Sequence, residues 1–138
     1  MTSSLPFIEG SPLFIRTTRM ALVLLGRHDP VRAALVSAHI RRITGLNHRQ
    51  LRRVGRATLY GADHRAVTRA IDQAWIERGQ RRCFITQSVW DVRPDDLRAL
   101  RHYAGVLVHE AAHLYLETHD EAACNAEMAA TSMLLTAS

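Results

Sequence analysis

Apolar residues recur at mixed three- and four-residue spacing over 12–26 and 30–44, with Leu22 and Leu25 in the first stretch and Val31, Leu35, Ile40 and Ile43 in the second. That spacing predicts two helices. Asp29-Pro30 between them is a helix start with proline in the first turn, and Gly45 is expected to end the second helix. A turn-rich link leads to Ala57-Thr58-Leu59-Tyr60, read as a short strand closed by Gly61. From Asp63 the series Ala66, Val67, Ala70, Ile71, Ala74, Trp75 predicts a third helix stopped by Gly79. Residues Arg82 to Trp90 are rich in β-branched and aromatic types and lack Gly and Pro, which makes them the best strand in the chain. Pro94-Asp95-Asp96 opens a further helix running to about Glu117, with a possible bend site at Gly105, and an Ala-rich helix follows from Asp120 to Thr136. The order ααβαβαα predicts an α+β domain with a small sheet.

Length and composition narrow the class. The 138 residues suffice for one core, so a single domain over 1–138 is expected, with 1–80 a mostly helical support region. Apolar residues make up 47% and charged residues 22%, the balance of a globular protein. The apolar run Met20 to Gly26 is too short to span a membrane, and Glu9 and Pro12 precede it, so no secretory signal is read and a cytoplasmic location is expected. Two cysteines, Cys83 and Cys124, are too few for a disulfide scaffold and read as buried thiols.

The net charge of +5 hides an asymmetry: all 18 basic residues, every one Arg, precede residue 102, and residues 102–138 hold only acidic ones. The densest basic stretch, His48 to Arg56, has no interleaved aromatics for base stacking. It reads as a solvated face, and a nucleic-acid partner is not expected.

The chemistry concentrates in His109-Glu110-Ala111-Ala112-His113. On a helix, residues four apart are separated by about 400° of rotation, so both imidazoles fall on one face within reach of one metal ion. Zinc takes tetrahedral nitrogen and oxygen donors, and two histidines leave room for a third ligand and a water. Glu110, turned about 100° from His109, is placed to act as general base on that water. Three adjacent residues compete to be the third ligand: His119, Asp120 and Glu121. His119 has the spacing of HExxHxxGxxH, but Leu116 stands where that pattern has glycine. Glu121 begins the last helix and would fold back onto the histidines; it is the first choice, with His119 the alternative. Thr118-x-x-Glu121 also reads as a capping box. Asn125, one turn on, is expected to hydrogen-bond a ligand from behind. Among possible oxyanion stabilisers, Tyr60, His102, Tyr103 and Tyr115 are not separable, and His28, His39, His48 and His64 lack ligand spacing.

From Arg82 onward the chain resembles the zincin metallopeptidases. His109-Glu110-Ala-Ala-His113 followed by Glu121-x-x-Cys-Asn125 is similar to the gluzincin branch and to compact zincin-like proteins of bacteria and archaea. The resemblance implies one zinc ion, hydrolysis of a peptide or related amide, and a sheet edge, here Arg82 to Trp90, that pairs with an extended peptide substrate. Two other readings stand beside it: a catalytically inactive zinc-binding interaction module, and a nucleic-acid-associated protein using the basic body.

Overall fold

The computed structural model describes residues 5–46, 74–77, 79, 81–86 and 95–137. Its elements run β1 (Phe7–Glu9), α1 (Pro12–His28), α2 (Pro30–His39), β2 (Arg42–Leu46), β3 (Ala74–Glu77), β4 (Arg82–Thr86), α3 (Leu97–Tyr115) and α4 (Glu121–Thr136). The mixed α and β class is as expected. The first half, however, contributes strands as well as helices.

The sheet has the order β1-β2-β4-β3. β1, β2 and β4 are mutually parallel, and β3 is antiparallel to β4. Parallel neighbours need a long crossover, and α1 with α2 supplies the one between β1 and β2. Ile43, Cys83 and Ile85 turn one face of the sheet into a buried cluster with Phe14, Leu25, Val36, Leu107 and Val108 of the helices. Thr44 and Phe84 alternate with them and are buried as well.

The helix start read at Asp29-Pro30 is present, and the first helix has its own cap at Ser11. Ser11 caps α1, its hydroxyl accepting from the Phe14 N–H, and Asp29 caps α2, its carboxylate accepting from the Arg32 N–H at 3.2 Å. Asp29 also pairs with the Arg32 guanidinium and accepts from the Thr131 hydroxyl at 2.8 Å, which ties the α1–α2 junction to α4.

Three expectations are corrected. The second helix does not reach residue 44: it ends at His39 with Ile40 as its cap, and Arg42–Leu46 is a strand. Gly45 is no helix stop; it lies inside β2, where a Cβ would come within 2.9 Å of the Phe14 ring, so only glycine lets α1 pack this closely on the sheet. The helix read up to Gly79 is wrong at its end, since Ala74–Glu77 pairs with β4 as a strand. Gly79 belongs instead to the β3–β4 connection, which Arg81 closes in the left-handed region at φ 52°. Finally, β4 is not an edge. It pairs on both sides, and Cys83, Phe84 and Ile85 are buried on both faces, as a central strand requires.

Other readings fall partly outside the described residues: the strand at 57–60, the basic stretch 48–56, the helix over 63–73 and the continuation of β4 to Trp90. Among the described residues no helix is long and apolar enough to cross a membrane. Cys83 and Cys124 are buried thiols outside any disulfide, as read from the sequence.

Candidate metal centre

The site is built on α3, which begins where Asp96 accepts from the Ala99 N–H at 3.1 Å. Leu100, Tyr103, Ala104, Leu107, Val108 and Ala111 bury one side of this helix in the core. The helix is continuous through Gly105. The glycine brings α4 close: a Cβ at 105 would sit 3.2 Å from Met128 Cγ. That close approach sets the spacing of the two helices that carry the ligands.

His109 and His113 project from the last two turns of α3 and meet edge to face, ring centroids 5.2 Å apart. After Tyr115 the chain reverses within five residues. Glu117 takes the left-handed conformation at φ 50°, and Asp120 caps α4 by accepting from the Ala122 N–H at 3.0 Å. Asp120, not Thr118, is therefore the cap, and Glu121 is the first residue of α4. Its carboxylate spans the two imidazoles: Oε2 lies 2.8 Å from His109 Nε2 and Oε1 lies 2.9 Å from His113 Nε2. One donor atom from each of the three residues lies within 4.8 Å of the others, a group that could hold a metal ion.

Protonation chemistry strengthens that assignment. His113 Nδ1 is 2.9 Å from the Thr118 carbonyl, which can only accept, so the proton of a neutral ring sits on Nδ1 and the lone pair on Nε2. That lone pair faces a carboxylate oxygen at 2.9 Å. Two acceptors at this distance repel unless a cation, a proton or a metal ion, lies between them. Tetrahedral zinc with bonds of about 2.0–2.1 Å separates its donors by roughly 3.4 Å, so the 2.8 and 2.9 Å contacts here are hydrogen-bond spacings that would open by about half an ångström around an ion. The donor set of two imidazoles and one carboxylate suits zinc.

Glu110, one position after His109, is buried, at 6% exposed. Burial, followed by the Glu121 carboxylate, pushes its carboxyl well above the usual range. Burial and then Glu110 push the Cys83 thiol of β4 up as well. Glu110 thus interacts electrostatically both with Glu121 and with the sheet.

The remaining site expectations divide. His119 is exposed and outside the donor group, and Asp120 serves the helix cap, so Glu121 is the third member. Asn125 is exposed and hydrogen-bonds neither histidine nor Glu121, so the supporting role read for it is corrected. The group that does support a ligand is the Thr118 backbone carbonyl, which no side-chain motif could reveal. Tyr103 is fully buried, with burial raising its phenol and its hydroxyl bonded to Thr18, so it belongs to the core. The Tyr115 hydroxyl donates to Glu127 Oε1 at 2.7 Å, and Glu127 also takes the Arg32 guanidinium, a structural tie between α3, α4 and α2.

Fold and site together define a small mixed α/β domain with a His-His-Glu donor group at the junction of its last two helices. No protein family model, no curated protein and no solved structure matches the chain.

Proposed function

We propose that the chain is a zinc-dependent hydrolase of peptide or related amide bonds, similar in its site to the zincin metallopeptidases. His109, His113 and Glu121 hold one zinc ion, and Glu110 acts as general base. The observation that carries this reading is the convergence of both Nε2 atoms on the two oxygens of one carboxylate, at 2.8 and 2.9 Å, with His113 Nδ1 already committed to a carbonyl.

Zinc, when bound, supplies Lewis acidity to a water and to the scissile carbonyl. The protein's residues do the rest. Glu110 accepts a proton from the attacking water as the oxygen–carbon bond forms, then donates it to the leaving amine nitrogen as the carbon–nitrogen bond breaks. Burial and Glu121 favour the protonated carboxyl, and the positive charge of a bound ion would favour the carboxylate that has to accept the proton. Glu121, whose side chain is 66% exposed, leaves the donor group open toward solvent and so toward substrate. Since β4 is internal, an extended peptide would add to an edge of the sheet, and of its two edges among the described residues, β1 and β3, it is β3 that packs against α3.

The test is metal content together with turnover. Purified protein is expected to hold one zinc per chain, and Glu110→Gln to keep the zinc and lose hydrolysis of casein or of a peptide library. Protein without stoichiometric zinc refutes the metal site. Zinc-loaded wild type that hydrolyses none of these substrates would favour the non-catalytic zinc-binding module.

A further inference from the structure

Resting on the zinc reading, we infer that Thr118 is the positioning residue of the site, and that it acts through both its backbone and its hydroxyl. Three of its hydrogen bonds bear on the site. Its N–H donates to the His113 carbonyl at 3.2 Å, its carbonyl accepts His113 Nδ1–H at 2.9 Å, and its hydroxyl accepts the Asp120 N–H at 3.0 Å. Asp120 in turn caps α4 through the Ala122 N–H. One residue therefore orients the ring of one ligand and fixes the start of the helix that carries another.

The hydroxyl makes this specific to the side chain. Almost any residue could offer the N–H and the carbonyl, but only a short hydroxylic, amide or carboxylate side chain can hold a backbone N–H two residues on. Glu121 needs such help. Its side chain is largely exposed and, among the described residues, its carboxylate pairs only with the two imidazoles. Its location is then decided by where α4 begins. If the Thr118–Asp120 bond is lost, the left-handed turn at Glu117 has one constraint fewer and Glu121 gains freedom relative to α3.

The experiment measures zinc affinity by competition with a chromophoric chelator and the visible spectrum of the cobalt-loaded protein. Groups that orient a ligand without touching the metal typically contribute 10–100-fold to affinity. Thr118→Val is expected to weaken zinc by about 10-fold and to alter the cobalt bands, and Thr118→Ser to restore both to within about twofold of wild type. Thr118→Ala serves as the second hydroxyl-free variant should Thr118→Val not fold. Thr131→Val is the control: it removes a buried hydrogen bond from the same helix, far from the turn, and is expected to lower the melting temperature without changing zinc affinity. Unchanged zinc affinity in both hydroxyl-free variants, or equal weakening in Thr131→Val, overturns the positioning role and leaves the zinc reading standing. Wild-type protein that binds no zinc overturns both.

Discussion

His113 donates its Nδ1–H to the backbone carbonyl of Thr118, 2.9 Å away and five residues further along the chain. A backbone atom beyond the end of α3 thus selects which nitrogen of a side chain on α3 faces Glu121. The ring orientation is thereby fixed, which would leave the proposed metal binding little ordering to do.

Zinc affinity should follow the donor group and nothing nearby. His109→Ala, His113→Ala and Glu121→Ala are each expected to weaken zinc by roughly 100-fold or more, beyond the effect of losing an orienting group. His119→Ala should leave it unchanged. Chelator competition on the four variants decides, and loss of zinc in His119→Ala alone would reassign the third ligand.

Glu110 makes the metal-free protein sensitive to pH. Its folded-state pKa is raised by burial and then by Glu121, from an ordinary value of 4.5. A raised value means that the folded state holds the proton more tightly. The associated stability is complete below about pH 4.5 and is lost as the pH climbs through the folded value. Metal-free Glu110→Gln, which cannot ionise, is therefore expected to be more stable than wild type at pH 7 and to match it near pH 4. Urea titrations at both pH values test this. In the zinc-loaded protein, on the proposed reading, the same change should cost about 100- to 10,000-fold in turnover, the usual contribution of a general base.

The opposite sign holds for Glu127. The Tyr115 hydroxyl and then Arg32 hold its carboxyl below the usual range. Its contribution is present above pH 4.5 and is lost as the pH falls through the folded value. Tyr115→Phe should cost about 0.5–1 kcal/mol at pH 7, and less at pH 3, where the carboxylate is being protonated in either protein. A Tyr115→Phe penalty that grows toward pH 3 would contradict the assignment.

The turn between α3 and α4 is strained at Glu117, and the strain has a direction. A β-branched residue tolerates the left-handed region poorly, whereas glycine enters it freely. Glu117→Val is expected to destabilise the fold by about 1–2 kcal/mol, and Glu117→Gly to leave it unchanged or more stable by about 0.5 kcal/mol. Thermal melts of the metal-free proteins separate the two.

Gly105 should tolerate no bulk. Gly105→Val would press on Met128 across the α3–α4 contact, at an expected cost of about 1–3 kcal/mol. Because the same contact spaces the ligand helices, its zinc affinity should fall as well. Unchanged affinity in a destabilised Gly105→Val would separate helix spacing from the site.

His109, Glu110 and His113 were legible in the sequence because one helical turn joins them, and helical spacing is a local property. Glu121 was legible as the start of the next helix. The carbonyl of Thr118 was not, since every residue carries one and only the fold aims it. Strands β1, β2 and β3 were missed for a related reason. They are three to five residues long, and Ile40 and Ile43 fit a helical spacing as well as a cap followed by a strand. What decides between them is the ladder to a distant strand, as with Trp75 opposite Phe84. Gly45 shows the same limit: whether a glycine stops a helix or admits a ring depends on where Phe14 comes to rest.

The two thiols offer the fold a pair of clocks. Cys83 is sealed in the central strand and Cys124 beneath the first turns of α4, both with no exposed surface. An alkylating reagent can reach Cys83 only when the sheet opens, and Cys124 only when the ligand helix lifts. Their separate labelling rates, with and without zinc, would time those two events within one molecule.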